Sequence, residues 1–167
     1  TLANLIHPLP GTRGKRIRAI NRPSYFGRSL TNQLIMENKQ VIDEFFNALE
    51  TQQFEKLNDL FAEDARQLNP YVPKGFPTSI DGVEAIYKQY NGLPEIFGQM
   101  KFPREIYATE DPKLFVVKFT GAIEIKAGGT YENDYVGLFK VENGKIKEYI
   151  EYFNPIVMAK AFNLSLD

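Results

Sequence analysis

The 167-residue sequence contains no cysteine, no tryptophan and a single histidine, His7. Without cysteine there is no disulfide framework and no thiolate nucleophile. One histidine near the N-terminus nearly excludes serine–histidine triads and histidine-rich metal sites, so acid–base chemistry must use carboxylates, tyrosine or lysine. No residues have the spacing of a metal site, and no apolar run approaches the roughly 18 residues that span a bilayer. We therefore expect a cytoplasmic protein that uses no cofactor and contacts no membrane.

Aromatic side chains are abundant, with 13 phenylalanines and 9 tyrosines. Hydrophobic residues make up 43% of the chain and charged residues 25%, which is typical of one globular domain with a sizeable core. Aromatic rings can fill such a core, and they can equally line a pocket for an apolar ligand.

Residues 1–30 differ in charge from the rest of the chain, because they contain basic residues and no acidic one. Such a basic arm could bind nucleic acid, act as a transit peptide, or dock on the acidic body or a partner subunit. We favour docking over nucleic acid, since few aromatic residues lie among the basic ones. Frequent proline and glycine argue against a long helix here, so the domain is placed at residues 31–167. The basic residues are Arg13, Lys15, Arg16, Arg18, Arg22 and Arg28.

The first half of the body has helical periodicity. Thr31 or Asn32 can cap a first helix, and apolar residues then recur at helical spacing as far as Leu49. Leu93-Pro94 should interrupt the third helix. The predicted elements are helices over about 31–49, 54–61 and 82–90, an extended segment over 65–69, and a proline- and glycine-rich loop over 70–79.

The second half alternates in the manner of strands. Asn143-Gly144 is a strong hairpin signal, because both residues tolerate the positive φ of a type I′ turn. Strands are predicted over 99–109, 114–125, 130–141 and 145–153, and residues 155–162 could add helical turns. Helices followed by antiparallel strands predict an α+β fold with the helices on one face of a curved sheet.

This order of elements, with the segments LFAEDARQLNP and IDGVEAIYKQY and the final hairpin, resembles the NTF2-like superfamily, in its SnoaL-like and ketosteroid-isomerase-like branch. The resemblance covers about Leu34 to Phe153 and implies a cone with a cavity on the concave side of the sheet. It also implies a homodimer. Because this fold hosts many activities, the resemblance predicts the fold better than the reaction.

The ketosteroid isomerase residues do not carry over to this chain. Their aspartate base, which precedes a proline, corresponds to Asn69, and an amide cannot act as a base. The position that resembles their first-helix oxyanion tyrosine is Phe45, and the position of their protonated aspartic acid is Gly137. The resemblance therefore argues against ketosteroid isomerase activity.

The chain is more similar to the phenazine-biosynthesis A/B proteins. It shares with them the "YEN" of Tyr131 to Asn133, the acidic-Gly-Lys-Ile turn at residues 142–146, and a glutamate near the end of the last strand. This resemblance implies that Glu151 is the acid/base. The family's active-site histidine corresponds to Gln89, or to Lys88 with a one-residue shift, so that partner is absent.

Strand alternation independently singles out Glu151. It shares a face with Lys147, Tyr149 and Phe153, while Asn133, Tyr135, Gly137 and Phe139 share a face of the preceding strand. A glutamate between aromatic walls would have a raised pKa suited to proton transfer near neutrality. Alternatively, Glu151 pairs with a lysine at a sheet edge or dimer interface. By the same alternation, Glu132 and Asp134 should face the outer side of the sheet.

Three functions remain open on this sequence. The first is a cofactor-independent isomerase, cyclase or dehydratase for a small cyclic or polyketide-like substrate. The second is a non-catalytic binding protein for a hydrophobic small molecule, and the third is an interaction protein that recruits a partner through its arm. The predicted catalytic residues are Glu151 and Tyr135, and the predicted substrate-binding residues are Asn69, Asn133, Tyr149, Phe153, Phe45, Tyr87 and Gln89.

Overall fold

The first helix begins earlier than its sequence indicates. The computed structural model describes residues 25–164, and α1 spans Tyr25–Glu50. The prediction of a cap at Thr31 or Asn32 was wrong, because both residues lie inside α1. The Thr31 Oγ1 donates a 2.9 Å hydrogen bond to the Gly27 carbonyl one turn earlier in the helix. Most of the basic arm, including His7, lies outside the described residues, so its roles remain predictions.

Helix α1 packs against the sheet through a stripe at the predicted spacing. The remaining elements are a short 3₁₀ turn at Phe54–Lys56, α2 (Leu57–Leu60), β1 (Phe61–Leu68), β2 (Ser79–Asp81), α3 (Val83–Asn91), α4 (Leu93–Ile96), β3 (Phe97–Lys101), β4 (Arg104–Ala108), β5 (Leu114–Ile125), β6 (Thr130–Glu142), β7 (Lys145–Phe153) and α5 (Pro155–Phe162). The buried residues of α1 are Asn38, Ile42, Phe45, Phe46, Ala48 and Leu49.

The strands form one seven-stranded sheet in the order β2-β1-β7-β6-β5-β3, with β4 also paired to β5. The predicted α+β class is confirmed, but the sheet is mixed, since β1 runs parallel to β7 while the other pairs are antiparallel. This parallel pair brings the end of β1 beside the end of β7. Two distant parts of the sequence therefore meet at one place on the sheet.

Two strand predictions differ from the structure. The single strand predicted over 99–109 is divided into β3 and β4 at Pro103, which has no N–H to donate to a ladder. The short β2 was missed because it follows a loop rich in proline and glycine and is only three residues long. Phe61, predicted to end the second helix, is instead the first residue of β1.

The hairpin between β6 and β7 has the predicted turn and an unpredicted bulge. Asn143 and Gly144 have φ values of 52° and 72°, as a type I′ turn requires. The register then shifts, because Val141 pairs with Ile146 whereas Lys140 pairs with Glu148. The extra residue is Lys147.

The bulge corrects one prediction about the faces of β7. Lys147 does not share the inward face with Tyr149, since the buried residues are Ile146 and Tyr149. Lys147 instead forms an ion pair with the exposed Asp64. Beyond the bulge, alternation resumes and directs Tyr149, Glu151 and Phe153 to the concave side, where all three line one cavity.

The outer face of the sheet carries the predicted acidic residues. Glu132 and Asp134 are exposed, and Asp134 accepts a 2.9 Å hydrogen bond from Thr120 Oγ1. None of the helices between residues 25 and 164 combines the length and the apolar character of a membrane span. Within the same residues, no cluster of acidic side chains is arranged to hold a metal ion. The homodimer predicted from the family resemblance remains a prediction.

Candidate active site

A cavity of about 380 Å³ lies between the concave face of the sheet and helices α1, α3, α4 and α5. Most of its wall is apolar, with rings such as Phe46, Phe102 and Phe119 and aliphatic side chains such as Leu49 and Met100. Its polar lining comprises Gln67, Asn69, Gln89, Tyr90, Tyr131, Tyr135, Tyr149 and Glu151. Such a space suits a small, mostly apolar molecule with a few polar groups.

The structure brings most of the predicted site residues together in this cavity. Those that line it are Glu151, Tyr135, Asn69, Tyr149, Phe153, Phe45 and Gln89. Two predicted binding residues lie outside the lining. Tyr87 packs against the core from α3. Asn133 is buried behind the wall, where it donates to Tyr131 Oη at 2.8 Å and to the Asn154 carbonyl at 2.9 Å.

Asn133 nevertheless helps to position the cavity wall. Its bond to the Asn154 carbonyl ties β6 to the start of α5, and the Asn154 side chain caps α5 by accepting from the Ile156 and Val157 amides. Helix α5 in turn places Met158 and Phe162 in the lining. An asparagine predicted to bind substrate thus orients the helix that closes one side of the cavity.

Glu151 is the only carboxylate of the cavity lining among the described residues. Burial disfavours its charged form and raises its pKa to about 7, while the hydrogen bond that Tyr149 donates to its Oε2 acts in the opposite direction. At neutral pH the side chain is therefore divided between an acid form and a base form. This is the condition in which a carboxyl group can both remove and return a proton.

The place opposite Glu151 on β6 is held by Gly137. A Cβ atom there would lie 2.8 Å from Phe139 Cε2 and 3.0 Å from Tyr149 Cε2. These two rings stack at a centroid distance of 4.2 Å and an interplanar angle of 20°. The absence of a side chain at Gly137 therefore lets Tyr149 lie flat against Phe139 and direct its hydroxyl to Glu151.

A second polar pair lies farther along β6. Tyr135 Oη donates to Tyr131 Oη at 3.2 Å, and Tyr131 also accepts from Asn133. Burial is the main cause that raises the pKa of both phenols, with the charge of Glu151 contributing, so both stay protonated. The pair has two phenolic hydrogens, and only one of them can lie in the bond between the two oxygens. Whichever tyrosine is the donor, the other hydrogen is accepted by neither of them.

Sequence reasoning missed three polar lining residues, namely Gln67, Tyr90 and Tyr131. Alternation along β6 could have identified Tyr131, because it shares parity with Asn133 and Tyr135. Gln67 lies on β1, two residues before Asn69, which directly follows that strand, so the two share parity. Tyr90 carries no such signal, since an aromatic residue on the apolar side of a helix is typical of a core.

We expect the charge of Glu151 to make stability depend on pH. The folded-state pKa of about 7 lies above the ordinary value of 4.5, so the folded protein keeps a proton that the unfolded chain loses. Stability should fall as pH rises through this window. Relative to wild type, Glu151→Gln should gain about 2–3 kcal/mol between about pH 5 and pH 8. Urea unfolding of both proteins at the two pH values measures this, and a difference that does not change with pH would contradict it.

Comparisons with known proteins agree with this fold and cavity. The family model of the SnoaL-like domain matches residues 42–149, and the chain belongs to this family. The uncharacterized protein YesE of Bacillus subtilis is 30% identical over 107 residues, which cover 62% of this chain and 72% of that protein. The phenazine biosynthesis protein PhzA1 of Pseudomonas aeruginosa is 30% identical over 114 residues, covering 65% of this chain and 70% of PhzA1.

A solved structure shows the same architecture. The phenazine biosynthesis-related protein phzb2 of Pseudomonas aeruginosa superposes with a TM-score of 0.72 at 22% identity, covering 84% of this chain and 94% of its own. The predicted NTF2-like fold, with its likeness to phenazine-biosynthesis proteins, is thereby confirmed. Of the two positions matched to the phenazine proteins' histidine, Gln89 lines the cavity, whereas Lys88 is exposed and does not.

Proposed function

We propose that this protein is a cofactor-independent acid–base enzyme that isomerises, cyclises or dehydrates a small cyclic or polyketide-like substrate. The observation that carries this proposal is Glu151, a lone carboxylate with a pKa near 7 in the polar floor of an otherwise apolar cavity. A glutamate on a solvated sheet edge would not be surrounded by apolar side chains, and it would not accept a hydrogen bond from a buried phenol.

In this proposal Glu151 removes a proton from carbon and returns it at the same or another position. Tyr149 orients the carboxylate, and the hydrogen kept by the Tyr131–Tyr135 pair stabilises negative charge that develops on the substrate. PhzA1 is by its name a phenazine biosynthesis protein. We do not extend phenazine chemistry to this chain, because Gln89 has an amide that cannot exchange a proton and Lys88 is exposed outside the cavity lining.

The proposal is tested with α-tetralone, a bicyclic ketone with exchangeable hydrogens next to its carbonyl. In D₂O the wild-type protein should accelerate loss of the NMR signal of those hydrogens above the rate in buffer. Binding of α-tetralone without accelerated exchange would favour the alternative, a non-catalytic binding protein for hydrophobic small molecules. Absence of both binding and exchange would contradict both assignments for this class of ketone.

A further inference from the structure

The cavity keeps most of its polar groups inside and presents a mainly apolar entrance. Among the described residues, the lining side chains that are exposed to solvent mark this entrance, and they are Phe76, Pro77, Gln89 and Ile96. Of these, only Gln89 is polar. The polar groups deeper in the cavity, such as those of Asn69 and Tyr135, are buried. Interfaces between proteins usually have the opposite distribution, with a polar rim around an apolar centre.

Ile96 forms one part of this entrance, at the end of α4. Its side chain is 53% exposed although it lines the cavity. Lys126, which directly follows β5, fixes the backbone of α4 at two points. Its amide donates to the Ile96 carbonyl at 2.9 Å, and its Nζ donates to the Pro94 carbonyl at 2.6 Å. The backbone that carries this isoleucine is therefore held at the entrance.

Phe76 belongs to a second element of the entrance, the loop between β1 and β2. Its side chain is 40% exposed and also lines the cavity. The Asn69 amide donates to the Thr78 carbonyl at 2.9 Å and closes the base of the loop. The Phe76 amide donates to the Pro73 carbonyl at 3.2 Å and forms a turn within it. Two separate elements thus place a large apolar side chain where the cavity meets solvent.

The apolar surface of the entrance continues into the cavity. Phe97 follows Ile96 and lines the cavity, and its ring meets Phe162 of α5 edge-on at 5.9 Å. Phe162 in turn contacts the ring of Tyr131, one of the phenols near Glu151, at 5.3 Å. Exposed apolar surface of this kind marks ligand grooves and interaction sites. Because the wall runs without a break from solvent to the interior, a molecule bound inside the cavity can also cover the entrance.

We propose that the substrate is a polar ring that carries an apolar tail, and that the tail lies in the entrance against Ile96 and Phe76. This inference rests on the proposed function, because it describes the molecule on which Glu151 acts. The two apolar residues determine specificity, since a charged or hydrogen-bonding tail would lose water there without gaining a partner. The cavity volume of about 380 Å³ agrees with a ligand of this kind. Cavities of about 300–1,000 Å³ bury most of a drug-sized molecule, which is larger than a bare bicyclic ketone.

The test uses para-alkylphenols, which combine a small polar ring with a tail of chosen length. The affinities of phenol, para-ethylphenol, para-butylphenol and para-hexylphenol are measured by NMR titration for wild type, Ile96→Ala, Phe76→Ala and Ile156→Ala. Ile156→Ala is the matched control, because Ile156 is 50% exposed, close to the 53% of Ile96, and does not line the cavity. Phenol has no tail, so its affinity reports whether the interior of the cavity is intact in each variant.

In wild type each added methylene should strengthen binding about two- to fourfold until the tail extends past Ile96. Ile96→Ala and Phe76→Ala should each weaken the binding of para-hexylphenol about three- to tenfold, because each removes apolar surface that the tail covers. Both variants should leave the affinity for phenol unchanged. Ile156→Ala should change neither affinity.

An affinity that does not rise with tail length would overturn the inference. Equal losses in Ile96→Ala and Ile156→Ala would also overturn it, as would an equal loss of phenol and para-hexylphenol in Ile96→Ala. If the tail series behaves as expected while wild type shows no exchange of α-tetralone, the proposed function fails and the tail site stands. If exchange is seen while the tail series is flat, the proposed function stands and this inference fails.

Discussion

Glu151→Gln should lose the exchange activity towards α-tetralone by about 100- to 10,000-fold, the range typical of a removed general base. The substitution is nearly isosteric, and the amide oxygen can still accept the hydrogen of Tyr149, so folding and ligand binding should persist. In wild type the exchange rate should rise with pH and level off above about pH 7, since the carboxylate is the active form and its pKa lies near 7. NMR exchange rates across this pH range measure both effects.

Glu148→Gln is the matched control for this experiment. It makes the same chemical change one strand position beyond the bulge, at a residue that pairs with Lys140 and does not line the cavity. This variant should keep the wild-type rate and pH profile. Exchange at the wild-type rate in Glu151→Gln would remove Glu151 from the mechanism and favour the binding-protein alternative.

Gly137→Asp should destabilise the protein by about 3 kcal/mol or more. The new Cβ would meet the rings of Phe139 and Tyr149 at 2.8 and 3.0 Å, and the carboxyl group would enter a wall made of aromatic rings. Overpacking of this kind costs about 1–3 kcal/mol, and an unpaired buried acid costs more. Urea unfolding measures the loss, and Gly92→Asp is the control because a Cβ atom there meets nothing closer than 3.8 Å.

The same geometry bears on steroid isomerase activity. Asn69→Asp alone should not produce isomerisation of a β,γ-unsaturated ketosteroid, because Phe45 and Gly137 still supply no oxyanion donors, and one missing donor typically costs about 100- to 1000-fold. Adding Phe45→Tyr and Gly137→Asp should not restore it, since the second substitution displaces Tyr149 from Phe139. Isomerisation well above background by Asn69→Asp would show that the pocket is assigned wrongly.

The polar floor also suggests why the cavity can hold a charged base. Four tyrosines lie around Glu151, and burial keeps each of them protonated. Neutral phenols can donate to an anion or to a developing oxyanion without introducing a positive charge. The chain therefore needs no histidine in this cavity for a carboxyl group to cycle between its two forms.

Local patterns determined much of this protein without reference to its tertiary structure. Alternation and the Asn143-Gly144 turn predicted the strands β5, β6 and β7, the inward face of β6, and the inward face of β7 beyond the bulge, because side-chain direction in a strand repeats every two residues. Helical spacing likewise predicted the buried face of α1. Glu151 could be found in this way, since its neighbours on the same face are aromatic.

Only the tertiary structure decided which residues accompany Glu151. The parallel pairing of β1 with β7 and the packing of α3 bring Gln67 and Tyr90 to this glutamate, and no local spacing encodes either contact. Alternation correctly places Asn133 on the same side of β6 as Tyr135. Only the structure shows that its amide donates to Tyr131 and to the carbonyl of Asn154 at the start of α5. Side-chain periodicity and turn preferences depend only on residues that are close together in the sequence. The pKa of a carboxyl group depends on everything that excludes water from it, and those groups come from the whole length of the chain.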